Sequence, residues 1–482
     1  MQRLLNYIDG QLQEPSSGRY LDNIEPATGQ VYSYIPSSCS DDLELAVAAC
    51  DKAFTEWQNA SLETRSAILM KIADLIESRL DELAQSESKD NGKPVSLAKA
   101  IDIPRAAANF RFFAHALTQF SSESHQMPGQ AINYTLRAPI GTVACISPWN
   151  LPLYLFTWKI APAIAAGNCV IAKPSEVTPM TAYLLSEICI EAGLPPGVLN
   201  ILHGLGPEIG DALCQHSKVK AISFTGGTQT GKHIASVAAP QFKKLSLELG
   251  GKNPTLIFAD CDMDKTIDGV IKSAFANQGQ ICLCGSRIYI ERSIYEAFKK
   301  QFVKRVKALN VGDPQDNSTH VGALVSKPHM HKVMSYIQLA KEEGGQLLCG
   351  GEQVQLQLHG RCRDGYFVEP TLFEGLDNRC RTNQEEIFGP VATLQPFDND
   401  DEAIALANDS QYGLAASVWT NDLTRAHKLG RELQTGIVWV NCWLLRDLRT
   451  PFGGMKSSGV GREGGLEALR FFTEPKNICI SY

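Results

Sequence analysis

The sequence predicts an α/β protein made of a doubly wound parallel sheet, a second α/β unit and a small β segment belonging to neither. Three observations carry this prediction. At 482 residues the chain is too long for one ordinary core, because single hydrophobic cores stop growing at roughly 250–300 residues. From Gly141 short apolar runs alternate with helical segments, and after Gly251 the same rhythm starts again. That alternation is the signature of β-α-β units and a parallel sheet. Finally, Ser121 to Pro139 and the C-terminal FFTEPKNICISY fit neither rhythm.

Taken in order, residues 1 to 38 carry NYIDGQ and NIEPATGQVYSYIP, short β-like runs punctuated by Gly and Pro. Asp41 to Trp57 reads as a helix with Ser40 as its N-cap. Leu62 to Asp90 continues the helical pattern and Ile101 to Leu117 adds another helix, together covering one face of a sheet. Then come the runs TVACISP, CVIAKPS, VLNILHG, AISFTGG and KLSLELGG, separated by helices near 155–165, 179–192, 206–216 and 228–239. In such sheets ligands bind at the carboxyl ends of the strands. The second unit begins with TLIFAD, a helix leading to Phe275, and RIYIERS, followed by helices near 293–308 and 327–344. Its further strands are VATLQPF, SVWT and IVWVN, and Gln346 to Asp364 reads as an exposed loop. The stretch 121–139 ends in an alternating run, AINYTLRAP, for which, with the C-terminal tail, an ordinary hairpin and tail strand is the plain alternative to a segment that pairs outside the two units.

Hydrophobic residues at 44% and charged residues at 20% are ordinary globular values. The net charge is -7 with no basic block, which speaks against a nucleic-acid partner. A mildly acidic surface also means that an anionic substrate needs local positive charge, so arginines near the chemistry are worth tracking. The 14 cysteines show neither metal-ligand nor disulfide-framework spacing, and Cys282-Leu-Cys284 is too close for a C-x-x-C motif. No metal site is expected. MQRLLNYIDG has no signal-peptide pattern, and no run of about 18 apolar residues suggests a membrane span. The expectation is a reduced, cytoplasmic, soluble protein.

The stretch that organises the chain is FANQGQICLCGSR, Phe275 to Arg287. Thiols used for packing sit in apolar runs, whereas reactive ones need a polar, partly open setting. A lone cysteine here would still be read as structural; its company changes the reading. With Glu248 in LSLELGGKNP, Asn150 in ISPWNLP and EEIFGPV at 385–391, the chain strongly resembles the aldehyde dehydrogenase superfamily over nearly its whole length and in family order. The resemblance implies a Rossmann-like NAD-binding domain at 1–120 and 141–249, a catalytic domain at 250–460, and an oligomerisation arm at 121–140 and 461–482. It also implies self-association as a dimer or tetramer.

The resemblance implies NAD as cofactor. GLGPEIG at 204–210, with Gly206 and Gly210, is weak evidence alone, since Gly-x-Gly after a strand is common. FTGGTQTG is stronger: after Phe224, Thr225, Gly226 and Gly227 the chain enters a helix at Thr228, whose free N–H groups suit a pyrophosphate. Gly227 replaces the more usual Ser and removes one side-chain donor. In IAKPSE, the resemblance puts Lys173 and Glu176 on the adenosine ribose, with Ser175 between them. Glu176 would accept from a free 2′-hydroxyl and repel a 2′-phosphate, which favours NAD over NADP. Further contacts are implied for Ile146, Ser147, Pro148, Trp149, Leu249 and Gly250, and Glu386 and Phe388 would hold the nicotinamide ribose and ring.

An aldehyde gives up hydride only after a nucleophile has made its carbon tetrahedral, and a thiolate does this well. Free cysteine titrates near ~8.5, so the site should favour the thiolate. The resemblance selects Cys282 over Cys284. It gives the oxyanion to the Asn150 side chain and the Cys282 backbone N–H, and makes Glu248 the general base for thioester hydrolysis. Superfamily members that transfer the acyl group to coenzyme A commonly lack this glutamate, so a free acid is the expected product.

Specificity should reside in NCWLLRDLRTPFGGMKSSG, 441–459, where many relatives are neutral or aromatic and this chain has Arg446 and Arg449. A guanidinium fork suits a carboxylate. Arg105 lies on a helix whose family equivalent borders the same funnel, with Arg111 further along; surface solvation or ion pairing is the alternative for all four. With Asn150, Arg105 and Arg446 are the candidate substrate contacts. The motif set is most similar to the muconate-semialdehyde dehydrogenases. That implies an aldehyde bearing a carboxylate, 2-aminomuconate 6-semialdehyde of tryptophan (kynurenine) breakdown first and the 2-hydroxy compound second. A neutral-aldehyde dehydrogenase, a non-enzymatic use of the fold and a thioesterase remain the competing readings.

Overall fold

The computed structural model describes residues 1–354 and 360–482. Eight strands form the first sheet. Its centre is five parallel strands in the spatial order Lys244–Glu248, Val219–Thr225, Thr142–Ile146, Cys169–Lys173, Leu199–Ile201. The chain winds outward from Thr142–Ile146 in one direction, then returns to its other side with Val219–Thr225. Ligand crevices form where strand order reverses in this way, outside the carboxyl ends. Here that point is bounded by Ile146 and Thr225, and the segments that follow them are 147–150 and 226–228.

The central strands are largely buried because both faces are covered. In Thr142–Ile146, Val143 and Cys145 pack with the helices Leu62–Ser78, Ile103–Thr118 and Pro152–Ala165. Ala144 and Ile146 point the other way, towards Ser40–Asn59. The N-terminal helices thus divide between the two faces instead of covering one. Pro152–Ala165 is buried at every position, as expected of a helix apolar all round.

The second sheet has seven strands. Asn253–Ile257 is flanked by Gly285–Glu291, Val391–Phe397, Thr371–Glu374 and Gln346–Cys349 on one side, and by Ala415–Trp419 and Ile437–Val440 on the other. Only Gln346–Cys349 is antiparallel. Ile257, Ile288 and Ile290 pack under Met263–Phe275 and Tyr295–Lys307; Leu256, Tyr289 and Val418 pack under Asp400–Asn408 and Leu423–Glu432. A third, exposed sheet pairs Thr473–Ser481 with Ala131–Pro139, and that strand with Ser124–Met127.

Several expectations need correction. Ser40 lies inside its helix. Cys39 is the cap position, and the Asp42 carboxylate accepts from its N–H at 2.8 Å. Leu62 to Asp90 is two helices, separated at Arg79, whose φ and ψ of -103° and 23° leave the helical range. Gln346–Cys349 is a strand, not part of a loop; of the expected loop, 355–359 lies outside the described residues. The boundary expected at 460 does not follow the sheets. Gly459–Val460 closes the edge of the first sheet against Leu247 and Glu248, and helix Gly465–Phe471 packs on Pro152–Ala165.

Candidate active site

The nucleophile loop follows helix Met263–Phe275 and is held by its own side chains. Asn277 and Gln278 adopt φ of 51° and 58°, a left-handed conformation rare outside glycine. Gln278 donates to the Ala323 carbonyl at 2.9 Å, and Gln280 accepts from the Val325 N–H at 3.1 Å. Gly279 has to be glycine: a Cβ there would lie 2.2 Å from the Gly389 carbonyl oxygen. Beyond the loop, Asn253 donates to the carbonyls of Cys282 and Cys284 at 2.7 and 2.9 Å. Cys282 remains partly accessible, whereas Cys284 is buried and its thiol is pushed up to about 12 by burial.

The expected bias towards the Cys282 thiolate is not present. Burial pushes this thiol far up, and the carboxylates of Glu386 and Glu248 push it further; Arg446 opposes them. Glu248 ends its strand, with its carbonyl accepting from the Gly226 N–H at 3.0 Å. Both its carboxylate oxygens are buried with no partner among the described residues. Burial, then the nearby charge of Glu463, raises it well above the carboxylate range, while Lys159, Arg462 and Arg446 pull it down. Glu463 itself is paired with buried Lys159 at 2.7 Å.

Asn150 is buried, and its side-chain oxygen has no partner among the described residues. Pro148, Trp149, Asn150, Thr225, Gly226, Gly227, Leu249, Gly250, Cys282, Glu386 and Phe388 line one cavity of about 250 Å³. Two residues not anticipated share it, His329 and Lys332. They open a helix, Lys327–Glu342, with no local pattern that marks a pocket. The His329 ring lies edge-on to Trp149 at 5.0 Å, bonds the Phe388 carbonyl at 2.7 Å, and is held neutral, down to about 4, by burial. Lys332 donates to the Glu386 carbonyl at 3.1 Å, and Glu386 accepts from the Gly251 N–H at 2.9 Å.

The other predicted cofactor residues sit outside this cavity. Ile146 ends the central strand, Ser147 donates its N–H to the Lys173 carbonyl at 3.1 Å, and Phe224 packs beneath Gly226. Lys173 and Glu176 pair at 3.2 Å, and Ser175 lies in the turn between them. Gly206–Gly210 forms a single wide turn whose last residue abuts Lys173. Gly227 caps helix Thr228–Ala238 without a side chain of its own, and a Cβ added to it would meet nothing within 4 Å. The buried Thr225 hydroxyl beside it has no partner among the described residues. Open space, free helical N–H groups and an unsatisfied hydroxyl at one strand end fit a phosphate-bearing ligand.

The two inner arginines come together. Arg105 lies over the Tyr154 and Trp158 rings at 5.3 and 5.8 Å; Arg446 lies over Trp158 and Phe452 at 5.1 and 4.0 Å. Arg446 also donates to the Tyr154 hydroxyl at 3.0 Å. Arg105 Nε and Nη2 and Arg446 Nη2 are buried with no partner among the described residues. The outer two are surface pairs: Arg449 with Asp447 at 2.6 Å, and Arg111 with Asp74 and Glu77 at 2.8 and 2.5 Å.

The chain is similar to known proteins along nearly its whole length. A model of the aldehyde dehydrogenase family matches residues 13–478. The 2-aminomuconic semialdehyde dehydrogenase of Bos taurus is 51% identical over 480 residues, covering 99% of this chain and 98% of its own. The 2-hydroxymuconic semialdehyde dehydrogenase of Pseudomonas sp. (strain CF600) is 45% identical over 488 residues and the whole of both chains. Among solved structures, an NAD+ complex of an aldehyde dehydrogenase from Bacillus cereus superposes with a TM-score of 0.96 at 37% identity, covering 99% of this chain and 96% of that one.

Proposed function

The chain belongs to the aldehyde dehydrogenase family, so its substrate is a small-molecule aldehyde, and from that premise we propose NAD-dependent oxidation of an acidic semialdehyde, 2-aminomuconate 6-semialdehyde, to the acid. The observation that carries the choice of substrate is the pair Arg105 and Arg446, two guanidiniums on one aromatic shelf with buried donors left over. Two like charges held together in a partly dry site call for an anion, and a carboxylate matches the guanidinium fork. Relatives with the 2-amino name reach 51% identity against 45% for the 2-hydroxy enzyme, which sets their order.

The residues divide the reaction as follows. Cys282 Sγ, once deprotonated, adds to the aldehyde carbon, and the carbonyl electron pair moves onto oxygen. The Asn150 amide and the Cys282 N–H receive that oxyanion; losing one such donor typically costs ~10²–10³ in rate. NAD, when bound beside Cys282, would supply the acceptor for the hydride that leaves the tetrahedral carbon. Glu248 then takes a proton from water, whose oxygen displaces Sγ from the resulting thioester and frees the acid. One aldehyde, one NAD and one water thus give one carboxylate, one NADH and two protons.

Glu386 and Phe388, lining the cavity with Cys282, would position the nicotinamide half; Thr225 to Thr228 would take the pyrophosphate, and Lys173 with Glu176 the adenosine ribose. Among the described residues, the exposed sheet of Thr473–Ser481 leaves one edge of that strand unpaired and carries exposed Leu136, Ile480 and Tyr482. Such edges invite strand addition, which supports a homo-oligomer, and sedimentation at varied concentration tests it. Among the described residues no helix is long and apolar enough to cross a membrane, and the cytoplasm is the proposed compartment.

The deciding assay measures kcat/KM for ω-carboxylated and plain aldehydes of equal chain length, then for both muconate semialdehydes, each generated in situ by its ring-cleaving enzyme. A clear preference for the carboxylated series is expected. Equal efficiency on the plain series would replace the reading with a neutral-aldehyde dehydrogenase.

A further inference from the structure

Three side-chain donors converge on a single backbone oxygen beside the reaction centre. The Asn150 carbonyl accepts from Asn277 Nδ2 at 2.8 Å, Lys93 Nζ at 3.1 Å and Asn91 Nδ2 at 3.4 Å. A carbonyl oxygen has two lone pairs, so this one is saturated and its residue is fixed from several sides. The donors come from separate parts of the chain. Asn91 ends helix Leu80–Asn91; Lys93 is wholly buried and paired with equally buried Asp102 at 2.7 Å; Asn277 stands in the nucleophile loop.

Asn277 differs from the other two in what else it holds. The same amide nitrogen donates to the Gln280 carbonyl at 3.2 Å, two residues before Cys282. One side chain therefore spans from the backbone of Asn150 to the loop that presents the sulfur. It does so from a left-handed backbone, φ 51°, in a fully buried position. Strained, buried, polar residues persist where the surroundings over-determine them, and they cluster at functional sites. An oxyanion hole made from a side-chain amide on one segment and a backbone N–H on another works only if the two segments keep their spacing.

We propose that Asn277 is a positioning residue that sets the separation between the Asn150 amide and Cys282, with Lys93, backed by Asp102, bracing the same carbonyl. This rests on the reading of Asn150 as the oxyanion donor. Asn277 touches no reacting atom; it acts through Asn150.

The test is a double-mutant cycle on the whole enzyme. Asn277→Gly removes the amide without straining the positive φ, and Asn277→Asp serves if the glycine variant does not fold. Expected for Asn277→Gly is a loss of about 10²-fold in aldehyde kcat/KM, the size of a lost oxyanion donor. Alkylation of Cys282 by iodoacetamide forms no oxyanion, so its rate should stay within about twofold; a loop that has merely collapsed would slow both. In an Asn150→Ala background the same substitution should cost less than about threefold, because residues acting as a unit are not additive. Undiminished cost in that background, or alkylation falling in parallel with oxidation, overturns the proposal. So does a wild-type rate in Asn277→Gly beside a crippled Asn150→Ala. Full activity in Asn150→Ala is a different result: it overturns the oxyanion reading itself, and this proposal with it.

Discussion

The surroundings of Cys282 and those of the Arg105 and Arg446 pair are built on opposite plans. Around Cys282 the backbone is pinned: its carbonyl accepts from Asn253, that of Asn150 accepts from Asn277, glycines sit where no Cβ fits, and the polar atoms left over there among the described residues are acceptor oxygens, those of Glu248 and Asn150 included. Around Arg105 and Arg446 the side chains rest on flat aromatic faces and three nitrogen donors are left over. The first plan fixes distances; the second stores unmet donors for whatever anion arrives. Chemistry needs the former because a transition state tolerates little misplacement. Recognition uses the latter because a buried donor left unpaired is unfavourable until a matching acceptor satisfies it.

This contrast can be broken at either end. The largest effect is expected for Cys282→Ala, which should remove NADH formation by on the order of 10⁴-fold or more, while Cys284→Ala stays active; the reverse pattern would move the nucleophile. Next, Glu248→Ala should stall after hydride loss, slowing turnover by about 10²–10⁴-fold and leaving an acyl adduct visible by intact mass. At the recognition end, Arg446→Ala should raise KM for the carboxylated aldehyde by roughly 10- to 100-fold, the worth of a charge-assisted hydrogen bond, and leave a plain aldehyde nearly untouched. An equal effect on both substrates would erase the division of labour.

The pH profile joins the two ends. Cys282 and Glu248 are both held protonated by burial and by neighbouring carboxylates, and both must be ionised to act. The rate should therefore rise with pH through and beyond neutrality. Arg446 lowers both groups, so removing it raises them and shifts the rising limb to higher pH; a shift to lower pH would contradict the charge assignments. The smallest effect belongs to Arg449→Ala, within about twofold, because its ion pair with Asp447 is exposed and such pairs contribute little.

What could be read from the chain beforehand was whatever is written locally. Short apolar strands alternating with helices gave the two sheets, and FTGGTQTG announced a helix start after a strand. The cysteine setting and the arginines in 441–459 pointed to the chemistry and to the recognition of the substrate. What escaped depends on contacts between distant segments. His329 and Lys332 enter the cavity only because Lys327–Glu342 packs beside Phe388. The thiolate expectation failed because polarity along the sequence says nothing of burial, nor of Glu386 and Glu248 arriving from distant segments. Asp42, not Ser40, settles its helix start by reaching back to Cys39, and Arg79 ends a pattern that hydrophobic spacing carries straight through.

The strand that ends in Glu248 gains its outer neighbour from Gly459 and Val460, paired with Glu248 and Leu247. More than two hundred residues, including the whole second sheet, are synthesised between the two. The ribosome thus delivers the base long before the backbone that locks it in place, and contacts so far apart in sequence slow folding. A nascent chain halted before residue 459 would carry the sulfur and the carboxylate yet lack the edge that holds them in register.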